Sequence, residues 1–174
     1  MLVCQFDEFE IRLLQHEDVA ALKGLEPGDL ACSRGEWIVA SGKEEQFVGE
    51  ALHAFAEQNS LEGGIWKGDE LVGLIGLHNM HALRKSAGLD YGMDARFRRQ
   101  GIMTQACRAM ITYAFERLKL NRTQITPDVE NEPSCRIPET LGFIKEGIMR
   151  DFYRLPEGFR DVAVYSMLKR EWNG

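Results

Sequence analysis

The residues best placed for chemistry lie in LDYGMDARFRRQGIMTQACRAM, which passes from an apolar stretch through a basic turn and a glycine into a helical period. A helix start leaves its first N–H groups unpaired and carries about half a positive charge, so it is a ready seat for an anion. Arg96, Arg98 and Arg99 add positive charge there. Screening limits the reach of acidic groups elsewhere on the surface to about 8 Å at physiological salt. Gly101 permits close backbone approach, and Thr104 adds a hydroxyl in the first turn. The pattern suits a phosphate or pyrophosphate, but it has neither the Gly-Lys-Ser/Thr of a P-loop nor the three glycines of a dinucleotide turn.

Other reactive types are less well placed. His78 and His81, in HNMH, sit three apart at the end of an apolar run, where a strand is a poor frame for two ligands and no third partner is spaced to help, so no metal is expected. Cys4, Cys32, Cys107 and Cys135 are far apart and form no C-x-x-C pair, which points to reduced thiols in a cytoplasmic protein. The opening MLVCQFDEFEIRLL is broken by Asp7, Glu8 and Glu10 and does not read as a secretory signal. No apolar stretch approaches the roughly 18 residues of a membrane span. A net charge of −6 argues against nonspecific nucleic-acid binding and suits a basic partner.

The elements that must position the basic turn follow from periodicity. Phe9, Ile11 and Leu13 alternate as a strand; Asp18 to Leu25 reads as a short helix stopped by Pro27 and Gly28; Phe47, Val48, Leu52 and Phe55 mark a second helix over Glu44 to Gln58. GGIWKG and ELVGLIGLHNM are strands turned at Gly68 and Asp69, and Ala87 to Met93 is a third. After Gly101, Met103, Ala106, Met110, Ala114, Phe115 and Leu118 line one face of a long helix ending near Lys119. Arg122 to Thr126 is a short strand, and Asn131 to Leu141 a helix capped by Asn131 with Pro133 in its first turn. A hairpin of Phe143 to Arg150 and Asp161 to Leu168 closes the chain, with Pro156 and Gly158 at turn positions. At 174 residues, without a linker, repeat or low-complexity tract, residues 1–174 read as one α/β (α+β) domain.

This sequence resembles the GNAT superfamily of N-acetyltransferases over nearly its whole length, and most the RimJ/RimL branch that acetylates ribosomal-protein N-termini. RRQGIMTQA is similar to the family's acyl-CoA pyrophosphate signature, with Arg98, Gly101 and Met103 at its R/Q-x-x-G-x-G/A positions. DVENEPSCRIPETLGF and GIMRDFYRLPEGFRDVAVYSMLKREW resemble its second signature and closing hairpin. The resemblance implies a mixed, strongly twisted sheet of about seven strands with about four helices. It also implies a splay between strands 4 and 5, here between Leu89–Asp94 and Arg122–Thr126, where pantetheine inserts.

The same resemblance supplies roles. Acetyl-CoA is the expected donor, its pyrophosphate held by Arg98, Arg99, Gln100, Gly101, Ile102, Met103 and Thr104, and its carbonyl polarised by backbone in Tyr91, Gly92 and Met93. Asn131 matches a coenzyme-binding asparagine, a role compatible with capping, and Ser134 matches a serine near the coenzyme sulfur that acts as acid. Direct attack by the amine is expected, so no cysteine is assigned as nucleophile. Acceptor contacts fall on Trp37, Tyr153 and Phe159, and the branch often dimerises.

Two positions depart from the family. Gly88 stands where many relatives carry a glutamate base; Asp90 shares its strand face and is the replacement to consider. Pro138 lies inside a helix, where it removes the N–H that would bond the Ser134 carbonyl. A weak base favours a weakly basic acceptor: an α-amine is about a tenth neutral at pH 7, a lysine roughly 0.04%. The expected activity is therefore acetylation of an N-terminal α-amine or other low-pKa amine, with the N-terminus of a basic protein as a fitting partner. The departures also leave open a GNAT-fold module that binds acetyl-CoA without transfer.

Overall fold

A computed structural model describes residues 1–25, 42–155 and 158–174. Eight strands form one sheet: β1 (Leu2–Phe6), β2 (Phe9–Leu13), β3 (Leu61–Lys67), β4 (Glu70–His81), β5 (Ser86–Met93), β6 (Arg122–Ile125), β7 (Ile144–Leu155) and β8 (Gly158–Leu168). Their order is β1-β2-β3-β4-β5-β6-β8-β7, antiparallel except for the parallel β5–β6 pair. Among the described residues there are four α-helices, α1 (Val19–Lys23), α2 (Glu44–Ala56), α3 (Ile102–Glu116) and α4 (Glu132–Thr140). No helix of the described residues is long and apolar enough to cross a membrane.

Two features exceed the expectation from sequence. β1 is an additional edge strand, paired with β2 through a turn at Asp7, whose φ is 45°. Its side chains are exposed or half-buried along its length, so it lacks the inside–outside alternation that marks a strand. The closing hairpin is longer than Phe143 to Arg150 because β7 continues through a bulge, where the register shifts between Met149 and Tyr153 and Asp151 takes a φ of 50°. Pro156 lies outside the described residues. The first helix spans Val19–Lys23 and not Asp18 to Leu25, because Asp18 closes a 3-10 turn and Gly24 is the C-cap; Pro27 and Gly28 lie outside the described residues.

The sheet is covered on both faces. Ile102, Ala106, Met110, Ile111 and Phe115 of α3 pack against Ile11, Leu61, Ile75, Leu77 and Leu89 in the main core. Each such large side chain contributes about 1.5–3 kcal/mol, which fixes α3 as a rigid strut behind the central strands. On the other face Leu22 of α1 and Phe47 and Val48 of α2 pack with Trp66, Leu71 and Leu74.

The feature that positions the site is where pairing stops. β5 meets β6 only at Ser86↔Arg122, Ala87↔Thr123 and Gly88↔Gln124. Beyond Gly88 the strands part, and Leu89–Met93 keep β4 on one side with no strand of the described residues on the other. This is the splay expected between Leu89–Asp94 and Arg122–Thr126; β1 shifts its strand numbering from 4 and 5 to 5 and 6.

Candidate active site

The basic turn follows the unpaired end of β5. Gly101 is the N-cap of α3 with φ +79°, a left-handed conformation that glycine adopts without cost, and a Cβ there would meet nothing within 4 Å. Glycine is thus required by backbone shape, and the space before the helix stays open. No side chain caps α3 and no acid lies in its first turn. The first helical N–H groups, of Ile102, Met103 and Thr104, have no intrahelical acceptor and keep their full attraction for an anion.

The arginines divide. Arg98 donates from Nε to the Met93 carbonyl at 3.0 Å, tying the turn to β5 with one of the guanidinium's five donors. Arg99 and Gln100 are exposed, and Arg99 takes a φ of 60°. Arg96 does not serve the anion site: its guanidinium is paired with Asp94 (2.8 Å) and Glu70 (3.1 Å). The Asp94 side chain, 4% exposed, accepts from the Arg96 backbone and Nε as well, and these Arg96 bonds hold its carboxyl below the usual range. Asp94 is a structural anchor that sequence reading did not single out.

Across the splay, Asn131 caps α4, its Oδ1 accepting the Ser134 N–H at 3.1 Å. Pro138 deprives the Ser134 carbonyl of its helical donor, and the Tyr91 hydroxyl supplies the replacement at 3.1 Å. The Ser134 Oγ lies 3.4 Å from the same hydroxyl. Burial, with Cys107 nearby, pushes the Tyr91 hydroxyl well above its ordinary range, so it remains a donor. One tyrosine on β5 therefore spans the splay and seats Ser134. The thiols are protonated: burial raises Cys107 far above its ordinary range, and burial followed by Glu139 raises Cys135. Neither has the depressed pKa of a reactive cysteine.

Alternation along β5 turns Leu89, Tyr91 and Met93 toward α3 and Gly88, Asp90 and Gly92 toward the opposite face. There Gly88 pairs with His78 of β4, and an ideal Cβ at Gly88 would overlap Nε2 and Cε1 of the His78 ring. The imidazole fills the volume that a side chain at position 88 would take. Its Nδ1 lies 3.2 Å from Asp90 Oδ2, with side chains 20% and 33% exposed. One pair along, a Cβ at Gly76 would overlap the Glu62 carboxylate, so Glu62 flanks the same face from β3. Sequence reading weighed His78 only as a metal ligand, because its place beside Gly88 and Asp90 is set by cross-strand register; the paired signal was a glycine on one strand facing a histidine on the next.

The expected acceptor residues are scattered. Tyr153 donates to Asp128 Oδ2 at 2.9 Å, fastening the final hairpin to the loop before α4. Phe159 is 57% exposed, with the Arg154 guanidinium 5.8 Å from its ring centre. Trp37 lies outside the described residues. The structure thus brings together the Arg98–Thr104 turn, the free edge Tyr91–Met93, Asn131, Ser134 and Asp90 around the splay, and leaves Tyr153 and Phe159 on the hairpin.

Comparison with known proteins agrees with this geometry. The acetyltransferase (GNAT) domain profile matches residues 8–144. YdaF of Bacillus subtilis (strain 168), whose name provisionally makes it a ribosomal N-acetyltransferase, is 36% identical over all of this chain and 99% of its own length. The ribosomal-protein-serine acetyltransferase of Escherichia coli (strain K12) is 33% identical over 60% of this chain and 58% of its own. A crystal structure of RimL, a ribosomal L7/L12 alpha-N-protein acetyltransferase in complex with coenzyme A, superposes with a TM-score of 0.88 over 97% of this chain and 98% of RimL; at 21% identity that likeness concerns the fold. A glycine-started, uncapped helix beside a splayed sheet, joined to a family match over most of the sequence, makes this chain an N-acetyltransferase of the GNAT family.

Proposed function

We propose that the enzyme acetylates the N-terminal α-amine of a protein or peptide. Acetyl-CoA, the donor of GNAT acetyltransferases, supplies the acetyl group activated as a thioester. The observation that carries this reading is the open N-terminus of α3, with no side-chain cap and no acid in its first turn, directly after the unpaired end of β5. Arg98, Arg99, Gln100, Gly101, Ile102, Met103 and Thr104 hold the pyrophosphate through backbone N–H groups and charge. The free edge of Tyr91, Gly92 and Met93 offers backbone donors to a carbonyl that gains negative charge. Asn131 binds the coenzyme from the far side of the splay, and the Ser134 hydroxyl gives a proton to the leaving sulfur.

Asp90 is the carboxylate that β5 presents on the face of Gly88, and it serves the removal of the acceptor's proton on that face. The two departures from the family pattern are both compensated: Tyr91 replaces the donor lost to Pro138, and the His78 ring occupies the place of a side chain at Gly88. An α-amine needs less help from a base than a lysine, and a net charge of −6 favours the terminus of a basic protein. Titration calorimetry with acetyl-CoA, on wild type and on a variant with Arg98 and Gly101 replaced, tests the coenzyme site, and loss of binding in the variant is expected. Turnover of α-amine peptides against free lysine and polyamines then tests the acceptor; turnover of the latter two with none of the peptides overturns it.

A further inference from the structure

We infer that His78 is the catalytic base of this transfer and that Asp90 is its positioning residue, an inference that rests on the acetyl transfer to an amine proposed above. Position 88 has no side chain, and the ring from the neighbouring strand lies over it. The ring starts on β4 and leans across β5, so its Nε2 stands above Gly88, the last residue of β5 that pairs with β6. That is the mouth of the splay, on the sheet face opposite α3. The other nitrogen, Nδ1, is buried and faces Asp90 Oδ2 at 3.2 Å. The contact is bent from the ring N–H direction, so in this structure Nδ1 meets the carboxylate as an ion contact and has no hydrogen-bond partner. A proton kept on Nδ1 by the carboxylate leaves the lone pair on Nε2, and the carboxylate stabilises the imidazolium once Nε2 is protonated.

The proton account closes. The acceptor arrives as an ammonium and gives one proton to Nε2. The neutral amine forms the N–C bond as the C–S bond breaks; its nitrogen loses a second proton, and the leaving sulfur gains one from Ser134, which is reprotonated from that nitrogen. His78 then returns its proton to water. Histidine is the side chain whose ordinary titration falls between pH 5 and 8, which suits this task. On the same sheet face the charged groups of the neighbouring strands are Asp90 from β5, Glu62 from β3, whose carboxylate lies over Gly76, and Arg122 from β6, which is bonded to Gln124 opposite Gly88 and paired with Glu146.

The test compares wild type, His78→Gln, Asp90→Asn and Gly88→Ala with acetyl-CoA and an α-amine peptide across pH. His78→Gln is expected to lower kcat about a hundredfold, leave acetyl-CoA affinity by calorimetry within twofold, and abolish the pH-dependent rise of kcat/KM. Asp90→Asn should lower kcat about tenfold and release the ring from the Nδ1-protonated tautomer, which its nitrogen-15 shifts read directly. Gly88→Ala displaces the ring without deleting it and should lower kcat with coenzyme binding intact. Nitrogen-15 NMR of the wild-type imidazole, which needs no turnover, should show the Nδ1-protonated tautomer. An unchanged kcat or an unchanged pH rise in His78→Gln, or an Nε2-protonated ring in wild type, overturns the inference and leaves the acetyltransferase reading standing. Wild type that binds acetyl-CoA but acetylates no amine overturns both.

Discussion

The two helices flanking the splay begin in opposite ways. α3 starts at a left-handed glycine with no capping side chain and no acid in its first turn. α4 starts at Asn131, whose side chain already accepts the Ser134 N–H, with Glu132 in its first turn and Pro133 contributing no N–H. The first helix therefore presents unspent backbone donors and an unneutralised positive end. The second has satisfied its own end, and what it presents to the splay is the Ser134 side chain. Their anchoring differs in the same sense: α3 is fixed by a buried apolar face, whereas α4, with Pro138 inside it, is tied by the Tyr91 hydroxyl on β5 and the Tyr165 hydroxyl on β8, with Ile137 half-buried against the core. A backbone site needs a rigid helix and an absent cap; a side-chain site needs its rotamer and carbonyl held from outside.

The sharpest way to break this comparison is Gly101→Val. A β-branched residue at φ +79° costs about 1–2 kcal/mol in backbone strain, seen as a lower melting temperature. Loss of the first-turn geometry should weaken acetyl-CoA about a hundredfold by calorimetry, the equivalent of one or two charge-assisted hydrogen bonds. Unchanged affinity would mean that the α3 terminus is not the anion seat. Next in size is Tyr91→Phe, which leaves the Ser134 carbonyl without its donor at about 1–3 kcal/mol. Pro138→Ala restores the helical N–H, so urea unfolding of the single and double variants should give a coupling of at least about 1 kcal/mol. Additive effects would show that Tyr91 and Pro138 are independent.

These variants also mark how far the sequence could be read. The α3 terminus was legible because everything it needs is local: a glycine, a basic turn and a helical period lie within twenty residues of each other. The same holds for the Gly68–Asp69 hairpin and for the order of strands that produces the splay. Tyr91 and Ser134 are 43 residues apart, and their bond depends on where α4 docks. Pro138 announced an orphaned carbonyl, but only the fold could supply its donor. The neighbourhood of His78 was hidden in the same way, because register determines that it faces Gly88. Arg96 misled in the other direction: its charge is local in sequence, yet Asp94 and Glu70 neutralise it. β1 and the outer half of β7 lacked alternation because no residue of either is fully buried; β1 only half-buries Val3, Cys4 and Phe6 against the core.

Two smaller predictions sharpen the α4 side of the comparison. Asn131→Ala removes the cap and should cost about 1 kcal/mol of stability in urea. A loss of acetyl-CoA affinity of about fivefold, one neutral hydrogen bond's worth, would measure what the amide adds to the coenzyme. No loss would confine Asn131 to capping.

The smallest effect concerns the bed of strands beyond the splay. Glu146 of β7 accepts from Arg122 of β6, at 2.7 Å to each oxygen, and from Ser166 of β8 at 2.7 Å. Those bonds, Arg122 first, hold its carboxyl down at about 2. A depressed carboxylate stabilises the fold above its unfolded value, about 4.3, and that contribution disappears as pH falls toward 2. Glu146→Gln should therefore flatten the loss of stability between pH 5 and 2.5. The difference should be no more than about 1 kcal/mol, because the side chain is 43% exposed and the pair is screened. Asp94, held low by Arg96 on the α3 side, loses its own contribution on acidification and survives in this variant. The residual acid sensitivity of Glu146→Gln thus reports chiefly on the α3 junction. If that sensitivity vanishes altogether, the Arg122–Glu146 clip, and not the buried Asp94 anchor, governs the acid limb.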